Sequence, residues 1–134
     1  MLETHIAQGR GDEPADPSRA NFDQSGIRRV SSAGAFPAGA GPYGALDLSG
    51  NVWEWTRSRY KGYPYDPADG RERVEMVADR EGVVLRGGAH YISADWLRCA
   101  FRHRLSPISR LGNHGFRVVV SPFLPPLVSD GSDL

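Results

Sequence analysis

A single loop-rich domain built on short β-strands is the fold class that the sequence predicts, and three observations predict it. Sixteen glycines and ten prolines lie among 134 residues, in short clusters without a repeat, a pattern of many turns and long connections. Two β-branched runs stand out, Val83-Val84-Leu85 ended by Arg86-Gly87-Gly88, and Gly115-Phe116-Arg117-Val118-Val119-Val120; they are expected to be strands and to pair. No segment carries a long helical stripe, which disfavours a bundle of long helices. A length of 134 residues with 40% hydrophobic content fits one core and not two.

Taken in order, residues 1–20 are polar and rich in Gly, Asp and Pro, so they are expected to be irregular. A short extended segment is expected around Val30 and Ala35-Phe36-Pro37, followed by the turn formers Gly39-Ala40-Gly41-Pro42. Next comes Ser49-Gly50-Asn51 and then Val52-Trp53-Glu54-Trp55-Thr56. Two tryptophans at i and i+2 share one face of an extended chain and bring a large block of apolar surface to it. Residues 57–80 are charged, with Tyr60, Tyr63 and Tyr65 interleaved with Gly62, Pro64 and Pro67, and are expected to form a long surface loop of the kind that carries function. Residues 89–114 show neither alternation nor helical period. The tail, 122–134, is expected to be a flexible appendage, which leaves 21–121 as the ordered unit.

Sixteen basic residues balance sixteen acidic ones, so no net field draws the chain to nucleic acid or to an anionic membrane, and neither partner is expected. Lys61 is the only lysine among the basic residues, which suggests a GC-rich bacterial genome. Cys99 is the one cysteine, so no intrachain disulfide and no cysteine-based metal site can form. With no secretory signal at Met1-Leu2-Glu3 and no long apolar run, a cytoplasmic protein is expected.

Gly-Asn-Val-Trp-Glu-Trp places the Asn51 amide and the Glu54 carboxylate beside a glycine turn. Oxygen ligands at such spacing can hold a hard cation such as calcium; equally, they can be a turn asparagine and a glutamate bonded to backbone or arginine. His5, His90, His103 and His114 are scattered, with no pair at the spacing of a helical zinc site. Arg98, Arg102, Arg104, Arg110 and Arg117 crowd a stretch in which Asp95 is the only acid. They suit an anion-binding surface or a scaffold that ties irregular backbone down.

The run Pro42-Tyr43-Gly44-Ala45-Leu46-Asp47-Leu48-Ser49-Gly50-Asn51-Val52-Trp53-Glu54-Trp55 resembles the signature of the sulfatase-modifying-factor, or formylglycine-generating-enzyme-like, family. Val84-Leu85-Arg86-Gly87-Gly88, Leu97-Arg98-Cys99-Ala100-Phe101-Arg102, Gly115-Phe116-Arg117 and the upstream Ala20-Asn21 resemble its other motifs, in order. The resemblance implies an α+β, C-type-lectin-like fold, here truncated at its N-terminus, because the family's N-terminal half would precede residue 1. A fragment, a short gene product or a second chain that supplies the rest would each account for that. The resemblance also implies a structural calcium ion, with Asn51 and Glu54 as ligands and Asn21 at a separate site.

The oxidases of that family hold copper(I) with two cysteines, and soft thiolates suit that ion. The corresponding interval here reads His90-Tyr91-Ile92-Ser93-Ala94-Asp95-Trp96, so no copper and no such oxidase activity are expected. Residues 86–117 resemble two non-oxidase groups better: the lectin-like domain of ergothioneine-type sulfoxide synthases, which contributes substrate-binding residues, and the variable proteins of diversity-generating retroelements. The second resemblance, closest in spacing, implies a non-catalytic domain that binds a protein or small-molecule ligand through Tyr91, Ile92, Ser93, Trp96, Phe101, His103, Arg104, Leu105, Ser106, Ile108, Ser109, Leu111, Asn113 and His114, with no catalytic residue. Aromatic and arginine side chains of this kind dominate binding hot spots. Several of these, Phe101 and Leu111 above all, fit a core equally well. Trp53, Trp55, Gly87, Gly88, Arg98, Arg102 and Arg117 are the expected framework. An enzyme, either a divergent oxidase or the substrate-binding part of a sulfoxide synthase, is the alternative.

Overall fold

The Trp-x-Trp alternation becomes a strand. In the computed structural model, which describes residues 14–73 and 82–120, β1 runs Trp53–Arg59, β2 Val83–Arg86, β3 His103–Leu105 and β4 His114–Gly115. They form one mixed sheet in the order β3-β2-β1-β4. β2 is antiparallel to both β1 and β3, and β4 lies parallel to β1. Helical structure among the described residues is limited to three 3-10 turns, Asp23–Ser25, Pro37–Gly39 and Ala94–Leu97. The helical half of the expected α+β class therefore has no counterpart there.

One face of the sheet makes the core. Trp53 is 1% exposed, and Leu85, paired with Trp55 across the strands, is fully buried. Ala20, Phe22, Ala89, Ile92 and Leu97 close over them, and Trp55, Phe101 and Leu105 pack against the rim. The core thus draws its side chains from irregular segments as much as from strands, which is why they carry no period.

Two sequence expectations are corrected here. Val83–Arg86 does not pair with the run at 115–120, because both of its edges are already taken by β1 and β3. Only His114–Gly115 joins the sheet, and Phe116, Val118, Val119 and Val120 lie exposed beyond it. The segment around Val30 and Ala35-Phe36-Pro37 makes no strand; Pro37 starts a 3-10 turn instead, as its fixed φ and missing N–H favour. The expected loop at 57–80 begins only after β1 ends at Arg59, and its last residues, 74–80, lie outside the described residues. So do residues 1–13, with His5, and the tail at 122–134.

Asn21 and Asn51 pin the irregular N-terminal part to the sheet. The Asn51 N–H donates to the Asn21 carbonyl at 2.7 Å, and the Gly50 N–H donates to the Gly87 carbonyl at 2.7 Å. Asn21 Nδ2 donates to the Arg29 carbonyl at 2.8 Å, and the Ser31 N–H donates to Asn51 Oδ1 at 2.9 Å. Backbone that has no ladder finds its partners in these two side chains.

Candidate ligand-binding surface

The segment after β2 leaves the sheet at Gly87 and Gly88, both at positive φ, and wraps back through the turn at Ala94–Leu97 to β3. Leu97 is buried where this turn meets the core. Its neighbours look the other way: Tyr91 is 51% and Trp96 45% exposed. They stand on a buried aromatic base. Trp53 lies 5.9 Å from Phe101 and 5.0 Å from His103, centroid to centroid. Trp96 stacks on Phe101 at 4.9 Å, and the Trp53 indole N–H donates to the Tyr91 hydroxyl at 3.3 Å. The result is a tiered cluster whose inner ring is core and whose outer rings are open.

The fourteen residues expected to face a ligand divide by burial. Tyr91, Ser93, Trp96, Arg104, Ile108 and Leu111 are exposed; Phe101, His103, Leu105, Ser106, Ser109, Asn113 and His114 are half-buried. Ile92, at 6% exposed, is a core residue, and its place in the exposed set is corrected. Phe101 and Leu105 have one side against the core, whereas Leu111 is an open side chain. Burial holds the imidazoles of His103 and His114 below the ordinary histidine value, with mutual repulsion adding to it at His114.

Arginines tie this segment and its neighbours together. Arg86 Nη1 donates to the carbonyls of Cys99 and Phe101 at 2.8 and 3.0 Å. Arg102 Nη1 donates to the Lys61 carbonyl at 3.0 Å, with its guanidinium between the rings of Tyr60 and Tyr63, 4.6 and 4.2 Å from their centroids. Arg117 grips both oxygens of Glu54 at 2.7 and 2.5 Å and donates to the carbonyls of Leu46 and Asp47. That carboxylate keeps the Arg117 pKa raised. Arg98, by contrast, is exposed, so its expected framework role is not matched by burial. Sequence reasoning missed the double clamp by Arg86 and the tyrosine sandwich. The tyrosines interleaved with Gly62 and Pro64 were the available signal for the second; for the first there was none beyond the arginine at the end of a strand.

The residues expected to bind calcium meet, but on different terms. Asn21 and Asn51 belong to one cluster and not to separate sites, with Asn21 Nδ2 3.4 Å from Asn51 Oδ1. Asn51 Oδ1 already accepts from the Ser31 backbone and hydroxyl, and both Glu54 oxygens are taken by Arg117. No group of three or more His, Cys, Asp or Glu that could hold a metal ion occurs among the described residues. Nor is any helix among them long and apolar enough to cross a membrane.

Residues 5–122 match the sulfatase-modifying factor enzyme 1-like domain. The chain belongs to that family. Among its relatives, the serine/threonine-protein kinase pkn1 of Chlamydia caviae is 40% identical over 78% of this chain and 16% of its own length. The hercynine oxygenase of Mycolicibacterium smegmatis is 37% identical over 78% of this chain and 26% of the oxygenase. The chain therefore spans about a quarter or less of these relatives. Among solved structures, Treponema denticola variable protein 1 superposes with a TM-score of 0.58 at 24% identity, over 82% of this chain and 41% of that one. The sheet with long irregular connections is thus a fold that a variable protein shares with this sulfatase-modifying factor enzyme 1-like domain.

Proposed function

We propose that this chain is a non-catalytic binding domain of C-type-lectin-like fold, presenting a protein- or small-molecule-binding surface from residues 89–114. The observation that carries it is the tiered arrangement around Trp53: exposed Tyr91 and Trp96 rest on a packed aromatic base, the backbone at Cys99 and Phe101 is held by Arg86, and Arg102 ties the segment to the loop at Lys61. The Arg86 clamp on that backbone lies outside the open set, which supports variation at the open positions. Likeness in fold to a variable protein supports a surface diversified in this way. The proposal places the protein in the cytoplasm, as a lone thiol suggests, and leaves room for a second chain or further sequence to complete the domain.

A display library tests the binding half. With Tyr91, Ser93 and Trp96 randomised, most clones are expected to remain folded on the cell surface and to yield binders to a chosen protein such as lysozyme. Loss of display at the rate seen on randomising Val83–Arg86 would overturn it. For the non-catalytic half, incubation with copper and a Cys-x-Pro-x-Arg peptide is expected to leave the peptide mass unchanged, since one cysteine cannot supply paired thiolates. Catalytic conversion of the peptide thiol would contradict it.

A second reading is favoured by the 37% identity to a hercynine oxygenase: the chain is the substrate-binding part of a sulfoxide-forming enzyme. Titration with hercynine separates the two. Saturable heat of binding that is abolished by a change at Trp96 supports the enzyme reading, and no heat supports the first.

A further inference from the structure

The sheet has a second face, and a cavity lies under the loop that covers it. On β1, Thr56 and Ser58 alternate with the core-packed Trp53 and Trp55; on β2, Val84 and Arg86 alternate with Leu85. Thr56 Oγ1 donates to the Val84 carbonyl at 2.9 Å, which joins the two rows. The loop after β1 folds over them and is tied down by the Arg59 N–H donating to the Arg71 carbonyl at 2.8 Å. Between sheet and loop remains a cavity of about 80 Å³, to which Arg59, Arg71, Arg86 and Arg102 bring guanidiniums and Tyr63 and Tyr65 bring rings.

Among the described residues, Arg86 and Arg102 have no carboxylate partner in this cavity. Arg71, 3% exposed, is matched by Asp69 at 2.7 Å, and the Arg71 guanidinium holds that carboxyl down to about 2. Glu72 accepts from the Ser58 and Tyr65 hydroxyls and pairs with Arg57 at 3.9 Å, and Glu54 pairs with Arg117. Among the described residues, Arg86 and Arg102 donate only to carbonyl oxygens, which satisfy hydrogen bonds without neutralising charge. Two half-buried guanidiniums facing one small cavity cost electrostatic energy that an anion would recover. The space is small. At about 30 Å³ per water, the space takes a two- or three-water equivalent, the head of a carboxylate or a tetrahedral oxyanion. It is far below the roughly 300 Å³ at which drug-sized pockets begin.

We propose that this cavity binds one compact oxyanion group, a sulfate, phosphate or carboxylate, between the guanidiniums of Arg86 and Arg102, with Tyr63 and Tyr65 as walls. Planar guanidiniums suit such groups because each offers two parallel N–H bonds. The site lies across the sheet from Tyr91 and Trp96 and does not rest on the binding role of residues 89–114.

The test titrates the full 134-residue chain with sodium sulfate, phosphate and acetate separately. Ionic strength is held constant with sodium chloride, and the Nε–Hε correlations of the arginine side chains are followed by NMR. A saturable shift of a subset of these signals in the millimolar range or below is expected for at least one anion, and the three arms say which. Two variants place the site. Arg102→Gln removes a donor, and Tyr63→Glu sets an internal carboxylate beside Arg102 at an exposed position; about tenfold weaker binding is expected in each. Should Arg102→Gln fail to fold, Tyr63→Glu decides alone. Shifts that rise linearly and match chloride in the wild type, or saturation unchanged in Tyr63→Glu, would overturn the proposal.

Discussion

Arg117 ties three segments together: the end of β4, Glu54 of β1, and the turn at Leu46 and Asp47. The pair with Glu54 is partly buried, at 33% and 21% side-chain exposure, so its loss costs more than a surface pair but less than a fully buried one. Arg117→Ala leaves a carboxylate and two carbonyls without their donors and is expected to cost about 2–3 kcal/mol, roughly 5–10 °C in Tm for a domain of this size. Arg98→Ala, at an exposed position, is expected to stay within about 0.5 kcal/mol of wild type. Both are read from thermal melts, and equal losses at the two positions would contradict the assignment. The half-buried histidines set a pH dependence. Burial lowers the pKa of His103 and His114, so the folded state favours neutral imidazole. The stability they contribute is complete above the unfolded value of about 6.5 and is lost as pH falls through their lower folded values. Tm is expected to be flat above pH 7 and to decline below 6.5, with the decline reduced in the double variant His103→Leu, His114→Leu. An unchanged decline in that variant would assign it to other groups.

At the scale of elements, turns do more than strands to set the path. Gly50 sits at a φ of +82°, and a methyl group there would come 2.3 Å from the Asn21 carbonyl oxygen; Gly44 has a similar φ of +80° but open space around it. Gly44→Ala is therefore expected to cost only the conformational strain, about 1 kcal/mol, and Gly50→Ala several times that, because backbone must move. Similar losses in denaturant melts would contradict the close approach. The same contrast explains what was legible in the sequence. Trp53-Glu54-Trp55 announced a strand because alternation is local, and Val83-Val84-Leu85 did so through its β-branched residues. Val118-Val119-Val120 has the same composition yet joins no strand, since the edges of β2 are filled by β1 and β3. Pairing partners are a tertiary fact that composition does not encode. The segment proposed to face a ligand is marked by its framework motifs, but Ile92 could not be told from Tyr91 or Ser93 where no period separates inside from outside.

For the molecule as a whole, the sheet divides two regions of different chemistry: an aromatic cluster that opens outward through Tyr91 and Trp96, and an arginine-lined cavity beneath the tyrosine loop. The account rests on residues 89–114 being displayed by a frame that does not need them. That is tested most directly by one set of melting temperatures, for alanine at Ser93, Trp96, Arg104, Ile108 and Leu111 beside alanine at Arg86 and Arg117. The open positions are expected to shift Tm by no more than about 2–3 °C each, Trp96 the most because it stacks on Phe101, while the two arginine changes lower it by roughly 5 °C or more. If the open set destabilises the domain as much as the arginines do, the segment is core and not a binding surface.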